Sequence, residues 1–226
     1  MIGRMMTKEE YLARAAAQGD WSPGWEAIDE AFAALYPGVE PAHLATLMPV
    51  RAMFGGPEHL DGVSFFPSPA GYQHLVTYGI SNLYVDEESF GAEHSGWGYE
   101  LTIKLRADSP DDCHWAAQSM GALARYTATS RRWFEPWQFV GGGANPLRVG
   151  SDTQLTSYLV VPDTEVPGID TVHGRVDFLQ LVGVTQGEFD WMAEGGPDRA
   201  RELAERIAAD DNPNLVTDLA RTKSHL

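Results

Sequence analysis

The chain of 226 residues carries one cysteine, Cys113. A single thiol excludes an internal disulfide and any thiolate-rich zinc site. Asp111 and Asp112 stand beside it, and their charge raises a thiol pKa and blunts nucleophilicity, so Cys113 reads as structural. No apolar run approaches membrane-spanning length, and the first six residues lack the apolar core of a signal peptide, which gives a cytoplasmic expectation with no membrane partner. Basic side chains are also scarce: 16 Lys and Arg face 32 Asp and Glu, a formal charge of −16. Such a surface repels nucleic-acid phosphates and steers a basic partner inward. An acidic surface that only keeps the protein soluble explains the same number. Patterns of the GxSxG, HExxH, CxxC and P-loop kinds are missing, as are repeats and low-complexity tracts. Gly55-Gly56-Pro57 is followed by no P-loop lysine or threonine, and Gly141-Gly142-Gly143 lacks dinucleotide spacing.

What is there argues for a folded domain. Apolar residues make up 43% of the chain and seven are Trp, more than a disordered segment carries. Thr7 with Glu10 forms a capping box for a helix over 8 to about 18, and Ser22-Pro23 opens a second with Trp25, Ile28, Phe32 and Leu35 at helical spacing. That aromatic stripe has the spacing of any core-facing helix, which favours core over a cofactor box. Strands are expected at 63–66 and at 74–79, the latter continuing over 80–84 past Gly79, and acids crowd the loop that follows. From Trp97 the apolar side chains Trp97, Tyr99, Leu101, Ile103 and Leu105 alternate with Glu100, Thr102 and Lys104, the pattern of a half-buried strand fed by a Ser95-Gly96 turn. A helix follows over 111–128 after Ser109-Pro110, and strands at 155–161 and 175–184. The last is apolar on both faces, so it belongs at the centre of a sheet covered by helices on both sides. Thr185 with Glu188 caps a helix toward 193, and another spans 197–208.

Read in order, these segments resemble the suppressor-of-fused family, in particular its bacterial single-domain members and the N-terminal domain of the animal protein. The resemblance runs through Gly24-Trp25, Leu35-Tyr36-Pro37-Gly38, Gly55-Gly56-Pro57, Leu60-Asp61-Gly62-Val63-Ser64 and His74-Leu75-Val76-Thr77-Tyr78-Gly79. It continues through Ser81-Asn82-Leu83-Tyr84, Ser95-Gly96-Trp97-Gly98-Tyr99-Glu100-Leu101-Thr102, Leu123-Ala124-Arg125-Tyr126, Gly174-Arg175-Val176-Asp177-Phe178-Leu179 and Leu215-Val216-Thr217-Asp218-Leu219. It implies an α+β fold, a mixed β-sheet flanked by helices on both faces, with residues 1–20 as an N-terminal helical extension and 21–226 as the suppressor-of-fused-like domain. It also implies a non-catalytic protein-binding module. Animal members clamp an extended peptide as an added strand, and many bacterial members are inferred to be immunity proteins that neutralise a toxin domain by binding it, which would suit a basic toxin here.

The resemblance places Tyr84 at the peptide site. With Glu87, Glu88, Glu93 and Trp97 it would border a partner-binding groove, with no catalytic residue, metal or cofactor. Tyr84 could equally only cap its strand, and the loop of 85–94 is shorter than in the animal protein. The alternative is a metal-dependent or acid/base hydrolase assembled from His43, His59, His74 and His94 with carboxylates between 74 and 100. A purely structural subunit of an oligomer is a third.

Overall fold

The fold is described from a computed structural model for residues 6–46, 60–143 and 145–226. The glycine pair at 55–56 and His59 lie outside this range. Helices are α1 (Lys8–Ala17), α2 (Pro23–Leu35), α3 (His114–Ser130), α4 (Gln186–Gly195) and α5 (Pro197–Ala209). Strands are β1 (Ala42–Ala45), β2 (Gly62–Ser68), β3 (Tyr72–Tyr78), β4 (His94–Leu105), β5 (Phe139–Gly141), β6 (Leu155–Pro162), β7 (Ile169–Thr171) and β8 (Gly174–Thr185). They form one mixed sheet in the order β1-β2-β3-β4-β8-β6-β5, and β7 pairs with the start of β8. Among the described strands only β4 and β8 run parallel, and they lie side by side at the centre.

Alternation decides which helix covers which face. Leu101, Ile103, Leu75, Val160, Leu179 and Leu181 pack under Ala116, Met120 and Ala124 of α3. Their strand neighbours point the other way, where Phe66, Val76, Tyr78 and Phe178 meet Ile28 and Phe32 of α2. Farther along that second face, Leu159, Val161, Val182 and Val184 meet Met192 of α4 and Leu203 and Ile207 of α5. β8 is apolar on both faces because both are covered, as its composition requires.

Both capping boxes form. Glu10 N donates to Thr7 Oγ1 at 3.2 Å while Glu10 Oε2 accepts from Thr7 N at 2.9 Å, and Thr185 with Glu188 repeats the arrangement at 3.2 and 2.8 Å. Ser22 departs from expectation: Pro23 starts α2, but the Ser22 hydroxyl donates back to Asp20 O at 3.2 Å and caps nothing. The helix expected from 111 begins as a 3-10 turn over Pro110–Cys113 before α3. Cys113 is buried, and desolvation, with Asp112 adding to it, pushes its thiol up to about 12.

Three expectations are corrected. The strand of 74–79 does not continue over 80–84, because Gly79 at φ +122 turns the chain out of β3. The strand now named β4 is not half-buried, since Glu100, Thr102 and Lys104 are as fully buried as the apolar residues between them. Alternating polarity there matches two different interiors, one apolar under α3 and one polar between the α2 and α5 clusters. Ser95 and Gly96 lie inside β4, not in a turn before it.

Candidate functional site

The acid loop of 85–93 enters β4 from a frame built by buried polar groups. Past Gly79 the chain bends so that three successive backbone N–H groups converge on one carboxylate. Glu100 Oε1 accepts from Gly79 N at 3.0 Å, Ile80 N at 3.1 Å, Ser81 N at 2.9 Å and Ser81 Oγ at 2.7 Å. Its other oxygen accepts from Thr77 Oγ1 at 2.6 Å. Burial pushes the Glu100 carboxyl up to about 7 against the pull of these donors. Ser95 Oγ then accepts from Asn82 N at 3.0 Å, and Trp97 N donates to Ile80 O at 3.2 Å. Gly96 is required where the two segments meet: its φ is +56, and a Cβ there would stand 2.8 Å from Ile80 O.

The far side of the loop is held by α1. Tyr11 Oη accepts from Asp86 N at 2.7 Å and lies 2.9 Å from His173 Nε2, while His173 Nδ1 is 3.2 Å from Asn82 O. These partners fix the imidazole as the Nδ1–H tautomer, with Nε2 accepting from the tyrosine hydroxyl. Burial pushes the His173 pKa down, which favours this neutral form. Tyr11 is fully buried and its ring packs on Trp21 and Phe90 at 5.3 and 4.9 Å. We expect Tyr11→Phe to leave Asp86 N and His173 Nε2 without their partner, at a cost of about 1–3 kcal/mol. Faster hydrogen exchange at the Asp86 amide checks it; unchanged exchange there would refute the role of the hydroxyl.

The five residues expected to border a groove are distributed over this frame. Tyr84 is 49% exposed and its hydroxyl donates to Asp61 Oδ1 at 3.0 Å. Glu87 and Glu88 are exposed on the α1 side, Glu87 pairing with Lys8 Nζ at 3.2 Å. The Glu93 side chain is 91% exposed and reaches His94 Nε2 at 3.8 Å. Trp97 is half-buried and lines a cleft of ≈ 500 Å³ with His94, Trp133, Phe134 and Asp177, where the register of β4 against β8 shifts between His94 and Tyr99. The acids thus share one loop, and Trp97 stands over a separate hollow at its end. Tyr11 and His173 were not among the sequence candidates, and Glu100 was one only as a carboxylate of the hydrolase alternative. The lone aromatic in the Ala-rich α1 was the signal for the first.

The residues of the hydrolase alternative go to separate places. His43 Nδ1 meets Ser64 Oγ at 3.0 Å, His94 meets Glu93, and Glu100 is consumed by its donors. His74 joins a buried cluster on the second face of the sheet, opposite Lys104 in the β3–β4 register. There Asp163 Oδ2 accepts from His74 Nε2 at 2.9 Å and Thr102 Oγ1 at 2.6 Å. Its Oδ1 accepts from Lys104 Nζ at 3.1 Å, Glu165 N at 2.9 Å and Val166 N at 3.1 Å. Burial alone would raise the Asp163 carboxyl; the His74 hydrogen bond and the His74 and Lys104 charges overcome it and hold it well below the carboxylate range. Lys104 also pairs with Glu165 at 3.0 Å, and Tyr36, at the end of α2, bonds His74 Nδ1 at 2.9 Å. Among the described residues no group of three or more His, Cys, Asp or Glu is arranged to hold a metal ion. No described helix is long and apolar enough to cross a membrane.

Comparison with known proteins bears on this frame. The family model described as Suppressor of fused protein matches residues 56–222. The human suppressor of fused homolog is 31% identical over 200 residues, which cover 83% of this chain and 41% of the relative. The chain therefore spans about two fifths of the curated relative's length. A chain of the Sufu–Fu complex crystal structure superposes with TM-score 0.75 at 25% identity, covering 90% of this chain and 93% of that one. A chain from Neisseria gonorrhoeae FA 1090, described as a suppressor-of-fused homolog, shares the fold with TM-score 0.58 at 15% identity, covering 90% and 97%. Since the matched span takes in the chain from β2 through β8 to the tail beyond α5, this protein belongs to the suppressor of fused family.

Proposed function

We propose that the chain is a non-catalytic module that binds a protein or peptide through the acid loop at the entrance to β4. The observation that carries this reading is the contrast within one short segment. Glu87, Glu88 and Glu93 stand exposed, while the backbone that leads into them is pinned over 79–81 by the Glu100 carboxylate, at Asn82 by His173 and at Asp86 by Tyr11. A rigid loop with outward charge is suited to recognition, because little conformational freedom remains to be lost on binding. The similarity to a chain of the Sufu–Fu complex supports a protein as the occupant. Tyr84 and Trp97 offer aromatic contacts at the two ends of the segment, the usual kind of anchor in a protein interface.

The finer reading is that the partner is basic, such as a cationic toxin domain neutralised by binding. The charge of −16 supports it, since complementary fields raise association rates more than they raise affinity. The test is co-expression with the polypeptide encoded beside this gene, followed by stopped-flow association across a salt series. Glu87→Lys/Glu88→Lys should slow association with a basic partner about tenfold at low salt and flatten its salt dependence. A captured partner that associates with the variant at the native rate would remove the acid loop from the interface. The Lys8 pair lost with Glu87 is exposed and contributes little to folding, so the variant stays a fair probe.

A further inference from the structure

The opposite end of the sheet carries a second open surface. Among the described residues β5 is the terminal strand and pairs only with β6. Val140 stands opposite Tyr158, Val160 N donates to Gln138 O at 2.8 Å and Gly142 N donates to Thr156 O at 3.1 Å. Alternate residues of an antiparallel ladder turn their N–H and C=O groups to the other side, so Phe139 and Gly141 present theirs to the open edge. An unpaired edge of this kind is a template for another strand.

Here the edge is walled and not merely exposed. A groove of ≈ 700 Å³ runs along Phe139–Gly141, bounded by Tyr126 and Trp133 on the α3 side and by Trp137 and Pro197. Tyr126 and Trp133 are 44% and 56% exposed, large apolar area left in water. Among the described residues that line the groove the one charged side chain is basic. Arg132 lines it, and the Arg201 guanidinium sits 4.9 Å over the Trp137 ring. Neither makes an ion pair among the described residues, although the chain holds 32 acids. Glu135 lines the neighbouring cleft, where it accepts from Trp133 Nε1 at 3.4 Å.

We infer that the open edge of β5 docks an extended acidic segment of another protein as an added strand, its backbone pairing with Phe139 and Gly141 and its carboxylates meeting Arg132 and Arg201. Pairing along the edge gives affinity and the aromatic walls take alternate side chains. At 0.15 M salt the Debye length is about 8 Å, so a bound segment feels these two arginines more than the acids that lie beyond that range. A second copy of the chain would bring its own charge of −16 to the contact, which disfavours self-pairing.

The test uses the full chain, ¹⁵N-labelled, at 0.15 M salt, with two end-blocked decapeptides, one alternating Glu with Val and one alternating Lys with Val. The Glu peptide should shift the amides of Phe139 and Gly141, quench tryptophan fluorescence, and bind at least tenfold tighter than the Lys peptide. Arg132→Glu/Arg201→Glu changes two exposed side chains and should reverse that order with the amide spectrum otherwise retained. Equal binding of the two peptides, shifts confined to the acid loop, or no saturation by the Glu peptide would overturn the proposal. Concentration-dependent dimerisation that protects the same two amides without peptide would overturn it in favour of a second copy.

Discussion

Lys104→Met should cost the fold about 3–5 kcal/mol, because it removes one partner of a buried ion cluster and leaves the others charged. Lys104 is fully inside the protein, 3.1 Å from Asp163, 3.0 Å from Glu165 and 2.6 Å from Thr164 Oγ1. Methionine matches the stem but supplies no cation, so two carboxylates would face the interior without the ammonium that now pairs with both. The loss is a large fraction of the 5–15 kcal/mol that typically holds a domain together. Chemical denaturation of native and variant measures it, and a loss below about 1 kcal/mol would show that the cluster is hydrated or easily rearranged. The same cluster has a pH signature. Asp163 is held below its ordinary value in the folded state, so its contribution is present above the ordinary carboxylate range and is lost as pH falls through the folded value. Acid should therefore destabilise the native protein more than Lys104→Met, in which part of the cause of that depression is gone.

Glu100 should behave in the opposite sense. Its folded carboxyl is raised from 4.5 to about 7, so between those values the folded chain holds a proton that the unfolded chain has released. Stability from this group is complete below the unfolded value and falls as pH rises through the folded one, by at most ~3 kcal/mol. Glu100→Gln should flatten that slope and stay within about 1 kcal/mol of native near pH 7. Its amide oxygen can take the N–H groups of Gly79, Ile80 and Ser81, while its NH₂ donates to Thr77, whose hydroxyl can turn to Leu101 O. Glu100→Ala orphans three backbone donors and the Ser81 hydroxyl at once and should cost about 3–5 kcal/mol, with Tyr84 and the acid loop loosened together. Urea denaturation from pH 4.5 to 8 on the three proteins separates these outcomes. The comparison of native with Glu100→Gln matters because His43 and His173, whose pKa values burial lowers, contribute a slope of the other sign. If Glu100→Gln lost as much as Glu100→Ala, or kept the native slope, the carboxylate nest would not be what sets the bend.

The second face of β4 shows where reading the sequence stopped. Glu, Thr and Lys alternating with large apolar residues normally mean a wet face, and period-two alternation reports only that the two faces differ. Both interiors here exclude water; one is apolar and the other is filled by Asp163, Glu165 and His74. Those partners come from positions tens of residues away in the chain, and nothing local to Lys104 announces them. The candidate site divides in the same way. The acids and aromatics of 84–97 were legible as a cluster because they adjoin in sequence. That Tyr11 and His173 clamp the loop, 162 residues apart, was not.

The amino-acid sequence by itself determined the capping boxes at Thr7 and Thr185, the start of α2 at Pro23, the central strand with two apolar faces, the inert buried cysteine and the family. Each depends on spacing, local chemistry or an ordered set of motifs. Only the tertiary structure decided that β3 ends at Gly79 upon the Glu100 carboxylate, that Lys104 and His74 belong to one buried cluster, and that β5 leaves an edge open beside Arg132 and Arg201. Those outcomes depend on which distant segments share an interior, and burial converts the same polar side chains from solvated surface into obligatory partners.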